Sequence, residues 1–318
     1  MLKKEESIVV TGAAGLIGSM IIEHLNEMGF YNIIAVDDFK DSLKWKNMIG
    51  KRYSEFLSRY ELFNWLTKNQ PAAILHMGAN SSTVGTDGDL YHKMNYRFTT
   101  ELAKIKTRFI YASSAATYGD GSMGFSDQEP IWNLRPLNLY GMSKQQADLW
   151  MTQNGYLKKV VGLKFFNVYG PNEYHKGRMA SMAYHMYHQI RQKGFVSLFE
   201  STNQNFANGE QSRDFIYVKD VARITCEFLF NDATGIYNVG SGEARSFNDM
   251  AKALFRSMDL EAHIEYIPMP EDLQKRYQNY TCANIEKLKQ IVSPPSYSLE
   301  SGIEDYLYYL NLEMAVVK

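Results

Sequence analysis

The chain has 318 residues, 45% hydrophobic and 22% charged, with a net charge of −1. That length supports a full core in one large domain or two interleaved ones, and the near-neutral balance excludes a global field for nucleic acid or an acidic membrane. Cys226 and Cys282 lie far apart without metal-ligand spacing, no run approaches the ~20 apolar residues of a bilayer span, and no signal-peptide core follows Lys3 and Lys4, so a protein of the reducing cytoplasm is expected.

In chain order, residues 7–11 form a short β-branched run, read as a buried first strand. A glycine turn follows, then helical spacing over 17–28 that ends at Gly29, a C-cap. Further strands are expected over 33–36 (ending at Asp37 and Asp38), 73–77, 108–112 (ending at Ser113 and Ser114) and 160–165. Helical patterns lie between them, including 91–106 and 139–153. This alternation predicts an α/β fold, a doubly wound parallel sheet of the Rossmann type. Beyond Phe166 the rhythm changes. Residues 167–171 are turn-rich, 179–192 helical and 203–211 a polar loop. Residues 213–218 read as a strand returning to the sheet, with a helix from Asp220. A helix over 246–258 starts at a side-chain cap, and 264–270 is extended. The expected division is a dinucleotide-binding domain over 1–166, with returning segments near 213–240, and a smaller, interleaved substrate lobe over 167–212 and 241–318.

Ligands of such sheets bind beyond the carboxyl ends of the strands. The glycine loop, Asp37, Asn80, Ser114 and Asn167 all fall there. Gly12, Gly15 and Gly18 suit a pyrophosphate for three reasons: a tight turn, close backbone approach, and packing of helix on strand. The phosphates then meet the free N–H groups of a helix N-terminus. Asp37 sits where a carboxylate bonds the adenosine ribose, which favours NAD. Lys40, Lys44, Lys46, Arg52 and Arg59 lie near enough in sequence to neutralise a 2′-phosphate, so NAD and NADP stay open on the residues alone.

Tyr140 and Lys144 are four apart and share one helix face. A free phenol, with a pKa of roughly 10, is a poor base. A neighbouring ammonium, with the positive charge of an oxidised nicotinamide, favours the phenolate. Tyr140 could then take a hydroxyl proton as hydride leaves the same carbon, with Ser114 steadying the oxygen. His185 and His188 lack a third metal ligand and read as a helix face.

The glycine loop, the run from Ser113 to Gly119, the Tyr140/Lys144 pair, the run from Phe166 to Pro171 and Arg213-Asp214-Phe215 together resemble the extended short-chain dehydrogenase/reductases that act on nucleotide sugars. The similarity spans nearly the whole chain. It is strongest to the branch that inverts C6 of an ADP-linked heptose, on residues 78–83, 111–119, the stretch His175-Lys176-Gly177 to Ser181, and Arg276-Tyr277-Gln278. The resemblance implies a cytoplasmic homo-oligomer, a pentamer, that holds NADP and makes a heptose for the lipopolysaccharide core. It implies cofactor contacts from Gly12, Gly15, Leu16, Ile17, Gly18, Asp37, Asp38, Lys44, Met77, Gly78, Ala79, Asn80, Ser81, Asn95, Tyr140, Lys144 and Val168. It implies sugar-nucleotide contacts from Ser114, Asn167, His185, Phe199, Glu200, Arg213 and Tyr277. Tyr140, Lys144 and Ser114 would be catalytic, and Lys176 would be a second base, because the two epimers present their hydroxyls differently.

Three departures from that pattern stand out: a longer segment between Phe199 and Arg213, alanines at Ala13 and Ala14, and Arg178 beside Lys176. A different nucleotide-sugar epimerase, such as a 4-epimerase, would share the trio without needing Lys176. A 4,6-dehydratase would need acid and base groups where Ala115 and Ala116 stand. A non-catalytic dinucleotide sensor would have no use for Tyr140 and Lys144 in register with Ser114.

Overall fold

The computed structural model describes residues 2–39, 42–274 and 277–316. Lys40 and Arg276, named above, lie outside them. The strands are β1 (Ile8–Thr11), β2 (Ile33–Val36), β3 (Glu55–Leu57), β4 (Ala73–His76), β5 (Arg108–Ser114), β6 (Val160–Phe165), β7 (Asn167–Tyr169), β8 (Val196–Phe199), β9 (Ser212–Tyr217), β10 (Gly235–Val239), β11 (Ala244–Ser246) and β12 (Ile264–Ile267). The longer helices are α1 (Leu16–Glu27), α2 (Leu139–Gln153), α3 (Met182–Lys193), α4 (Val218–Glu227), α5 (Phe247–Ser257) and α6 (Leu299–Val316).

Seven strands form one sheet in the order β10-β6-β5-β4-β1-β2-β3, every pair parallel. A parallel sheet is covered on both faces, so its central strands are apolar runs rather than alternating ones. β1, β2 and β4 are buried at every residue. One face packs Ile8, Val10, Ala35 and Leu75 against Ile21 and Leu25 of α1 and Val221 and Ile224 of α4. The other packs Val9, Ile34, Ile74 and Phe109 with Met151 of α2. A separate cluster joins Met186 and Ile190 of α3, Leu254 and Phe255 of α5, and Ile303 and Tyr306 of α6.

Strand order reverses between β1 and β4, so the crevice opens at their carboxyl ends. Gly12 follows β1 there with φ +67°, and a Cβ on it would sit 2.7 Å from the Gly78 nitrogen. A Cβ on Gly18 would sit 2.1 Å from the Gly12 oxygen. These two glycines are therefore demanded by packing.

Several sequence expectations are revised. The strand near 213–218 exists as β9, but it pairs with β7 and β11 in a three-stranded sheet. β10 is the strand that rejoins the large sheet, beside β6. Hydrophobic pattern identifies a strand without naming its partner. β3 was not anticipated; three residues are too few to show a pattern. The helix expected over 91–106 is interrupted by a π-helical stretch, His92–Arg97, which carries Asn95. Such wide turns recur at functional sites, because they redirect one side chain. α2 occupies the expected residues, and Ser246 caps α5 with a full capping box.

Candidate active site

A cleft of about 890 Å³ runs across the carboxyl ends of the sheet. Its first wall is the glycine loop. The Gly15 N–H closes a turn on the Gly12 carbonyl at 2.9 Å, and α1 begins at Leu16 with no side-chain cap on its free N–H groups. Gly12, Gly15, Leu16, Ile17 and Gly18 all line the cleft. So do Met77, Gly78, Ala79, Asn80 and Ser81 after β4.

Asp37 and Asp38 stand at the end of β2. The Asp37 carboxylate accepts the Ala14 N–H at 2.9 Å and pairs with Lys44. Asp38 pairs with Arg59 at 2.6 Å and accepts the Ser58 hydroxyl at 2.9 Å. All four charged residues line the cleft. Arg52 instead stacks on Tyr31, 3.6 Å from the ring centroid.

At the other end stand Ser114, closing β5, and Tyr140 and Lys144, one turn apart on α2. The Ser114 hydroxyl accepts the Ala116 N–H at 3.1 Å. Lys144 is 2% exposed. Its ammonium donates to the Ala112 carbonyl at 2.8 Å and lies 6.0 Å from the centre of the Tyr140 ring. Burial pulls Lys144 down to about 8, against the field of Asp148. Burial also pushes the Tyr140 phenol above its ordinary value, with Ser114 opposing and Tyr91 adding to the rise. The sequence leads one to expect Lys144, together with an oxidised nicotinamide, to favour the phenolate. In the protein alone, desolvation wins and the ammonium is drawn to a carbonyl.

A polar layer that the sequence reading missed supports the trio from below. Asp148, one turn beyond Lys144, is fully buried. It accepts the Tyr111 hydroxyl at 2.8 Å, the Ser113 hydroxyl at 2.7 Å and the Lys164 ammonium at 2.8 Å. Lys164 also donates to the Thr117 hydroxyl at 2.6 Å. The available signals were an acid on the Tyr140–Lys144 face at i+4 and a lysine inside a buried strand. His76 is buried too, bridging the Thr11 hydroxyl at 2.6 Å and the Thr99 hydroxyl at 3.0 Å, and burial lowers it to about 3.

Asn95 does not face the cleft, contrary to expectation. It is fully buried. Its side chain accepts the Asn80 N–H at 2.8 Å and donates to the Asn80 carbonyl at 2.9 Å and the Ser143 hydroxyl at 2.9 Å. It therefore fixes the loop after β4 against α2 and has no hydrogen-bonding capacity free on its amide nitrogen.

Asn167 and Val168 of β7 line the cleft, with Lys176 on the short turn Tyr174–Met179. Burial lowers Lys176, with Glu173 opposing. His175, not anticipated, also lines the cleft, and burial holds it near 4. Asn47 ties this turn to the glycine loop, donating to the Ala14 carbonyl at 2.9 Å and the Asn172 carbonyl at 3.0 Å.

The remaining expected substrate residues fall elsewhere. His185, Phe199 and Tyr277 line a second cavity of about 740 Å³. Met182 and Phe247 line both spaces, so the two adjoin. The loop over 203–211 reaches this cavity through Gly209 and Gln211, and Asn248 pins it by donating to the Asn208 carbonyl at 3.0 Å and to Glu210 at 2.6 Å. Arg213 lines neither space. Its guanidinium lies 5.5 Å from the Phe247 ring centre and 5.2 Å from that of Tyr277, and donates to the Gln278 carbonyl. Glu200 is exposed and lines neither; its N–H donates to the Ile267 carbonyl at 2.8 Å. The resemblance implied both as substrate contacts; Arg213 lies on β9 and Glu200 just past β8, and neither side chain turns toward the two spaces.

Residues 8–240 match the NAD dependent epimerase/dehydratase family. The chain belongs to that family. It is 45% identical over 310 residues to the ADP-L-glycero-D-manno-heptose-6-epimerase of Nitratidesulfovibrio vulgaris (strain DP4), covering 94% of this chain and 96% of that one. The crystal structure of Helicobacter pylori ADP-L-glycero-D-manno-heptose-6-epimerase superposes with a TM-score of 0.84 at 30% identity, covering 97% of each chain. The Bacillus cereus UDP-glucuronic acid 4-epimerase, solved with UDP-glucuronic acid and NAD, gives a TM-score of 0.78 at 25% identity, over 96% of this chain and 99% of that one.

A nicotinamide dinucleotide fits this family member's cleft on the chain's own features. The space a Gly12 Cβ would occupy is already taken by backbone, the α1 N–H groups are free for phosphate, and two carboxylates stand at the ribose end. The buried pair beneath the trio generates a prediction. Asp148→Asn strands the Lys164 charge and should cost about 3–5 kcal/mol in a urea titration, with Asp148→Asn/Lys164→Met regaining part of it. A loss under about 1 kcal/mol would show that the pair carries no such strain.

Proposed function

We propose that the protein converts ADP-D-glycero-D-manno-heptose to ADP-L-glycero-D-manno-heptose by oxidising C6 and reducing it again from its other face. The observation that carries this reading is the entry of Lys176 into the cleft that holds Ser114, Tyr140 and Lys144, in a chain so similar to heptose 6-epimerases. A bound nicotinamide dinucleotide supplies one operation, acceptance and return of hydride at C6. The chain does the rest. Tyr140 takes or returns the C6 hydroxyl proton of one epimer. Ser114 donates a hydrogen bond to the C6 oxygen as it becomes a carbonyl. Lys144 holds positive charge beside the phenol, and a cationic nicotinamide bound there would add to it against the desolvation of Tyr140. After the C6 ketone turns about the C5–C6 bond, Lys176 serves the other epimer's oxygen. Asn167 contacts the sugar in the same cleft, and His185, Phe199 and Tyr277 take the nucleotide in the adjoining cavity.

We assign NADP as the cofactor: Lys44 and Arg59, paired with Asp37 and Asp38, bring two cations to the ribose end, and these are the groups that would offset a 2′-phosphate. The product would feed lipopolysaccharide core synthesis in the cytoplasm, from a homo-oligomer. Among the described residues, no helix is long and apolar enough to cross a membrane.

Purified protein mixed with either ADP-heptose epimer should yield both; UDP-hexoses interconverted at C4 in their place would transfer the protein to the 4-epimerase reading. Tyr140→Phe is expected to lower kcat by about 10²-fold or more, and a loss within about tenfold would remove the phenol from the mechanism. The two directions share one equilibrium, so Lys176→Met must lower both kcat/KM values together. Its asymmetry should appear in the single-turnover oxidation of each epimer, followed by nicotinamide absorbance; equal, undiminished rates would dismiss Lys176 as a base. Nucleotide released by heating should respond to an NADP-specific assay, and an NAD response would overturn that assignment.

A further inference from the structure

We propose that Glu173 is the positioning residue of Lys176: its carboxylate holds the 174–181 turn closed and so keeps Lys176 in the cleft. This rests on the reading of Lys176 as the second base. Glu173 is fully buried. One carboxylate oxygen accepts the Ser181 hydroxyl at 2.6 Å, the Tyr306 hydroxyl at 2.9 Å and the Gly170 N–H at 3.3 Å. The other accepts the Ser181 N–H at 2.5 Å. The Glu173 carbonyl accepts the Lys176 N–H at 2.9 Å.

One residue therefore clips both ends of the turn. It also ties that turn to three larger elements: β7 through Gly170, α3 through its cap Ser181, and α6 through Tyr306. Gly177, inside the turn, has φ +52°, and no atom beyond its chain neighbours lies within 4 Å of where its Cβ would be. Glycine takes that conformation without strain, so the exposed middle of the turn is held by the bonds at its base and by Asn47 on the cleft side. A buried carboxylate costs several kcal/mol to desolvate, and four donors at one point offset that cost only while all four stay in place.

Glutamine at this position keeps the volume but offers a single acceptor oxygen. Its amide must point a donor at the Ser181 N–H or at the other three donors. Glu173→Gln therefore loosens the clip without opening a cavity. The test compares single-turnover oxidation of the two ADP-heptose epimers by wild type, Lys176→Met, Glu173→Gln and the double variant. Glu173→Gln should slow oxidation of the epimer that Lys176→Met slows, by about tenfold, with the half-saturating substrate concentration unchanged and the other epimer within about twofold. It should add nothing in the Lys176→Met background.

Equal slowing of both epimers, or full additivity, overturns the proposal while leaving Lys176 as a base. If Lys176→Met spares both epimers, the second-base reading fails and takes this proposal with it. Should Glu173→Gln not fold, Tyr306→Phe removes one of the four donors and keeps the charge. It should then show the same epimer preference at smaller size, and its lack of any preference overturns the proposal.

Discussion

Parallel pairing of β1, β4, β5 and β6 is the constraint on which the site depends. Parallel strands all end on one edge, so the glycine loop, the Met77–Ser81 stretch, Ser114 and Asn167 must emerge side by side, however far apart they are in the chain. Gly12 shows how tight that convergence is: it passes the Gly78 backbone with no room for a Cβ. α2 packs on one face of the sheet, and its first turns bring Tyr140 and Lys144 to the same edge.

Buried charge beneath that edge is concentrated where chemistry is proposed. Asp148 with Lys164 lies under the trio, and Glu173 lies under the turn of Lys176. Ionic groups placed there add little net stability, because desolvation consumes most of the Coulomb gain. What they add is direction. Ser113 and Tyr111 are locked to Asp148, which keeps Ser114, the next residue, at a defined strand end. Ser181 is locked to Glu173, which fixes where α3 starts and where its His185 faces the second cavity. Loosening either carboxylate would leave the fold's apolar packing intact and blur the position of the groups above it.

The two walls of the cleft are held together by polar side chains rather than by apolar contact alone. Asn47 spans from the glycine loop to Asn172, and the Asn172 amide reaches back to the Ser19 hydroxyl on α1 at 3.0 Å. The turn of Lys176 is in this way registered to the loop that would hold pyrophosphate. A cofactor on that loop and Lys176, the proposed second base, would then share one set of bonds and keep one relative geometry.

Local pattern by itself determined much. The period of apolar residues marks β1, β2, β6 and α2 because burial on two faces leaves continuous runs, and burial on one leaves a stripe. The glycine spacing and the Tyr140/Lys144 interval are legible for the same reason: each states a local geometry, a turn or a helix face. Non-local choices were not legible. The pairing of β9 with β7 and β11, the inward turn of Asn95, the burial of Arg213 between Phe247 and Tyr277, and the exposure of Glu200 depend on which distant segment arrives alongside. So does the ionisation of the phenol. Sequence interval places an ammonium one turn from Tyr140, but only the assembled protein decides that this ammonium bonds the Ala112 carbonyl and that burial raises the phenol's proton affinity.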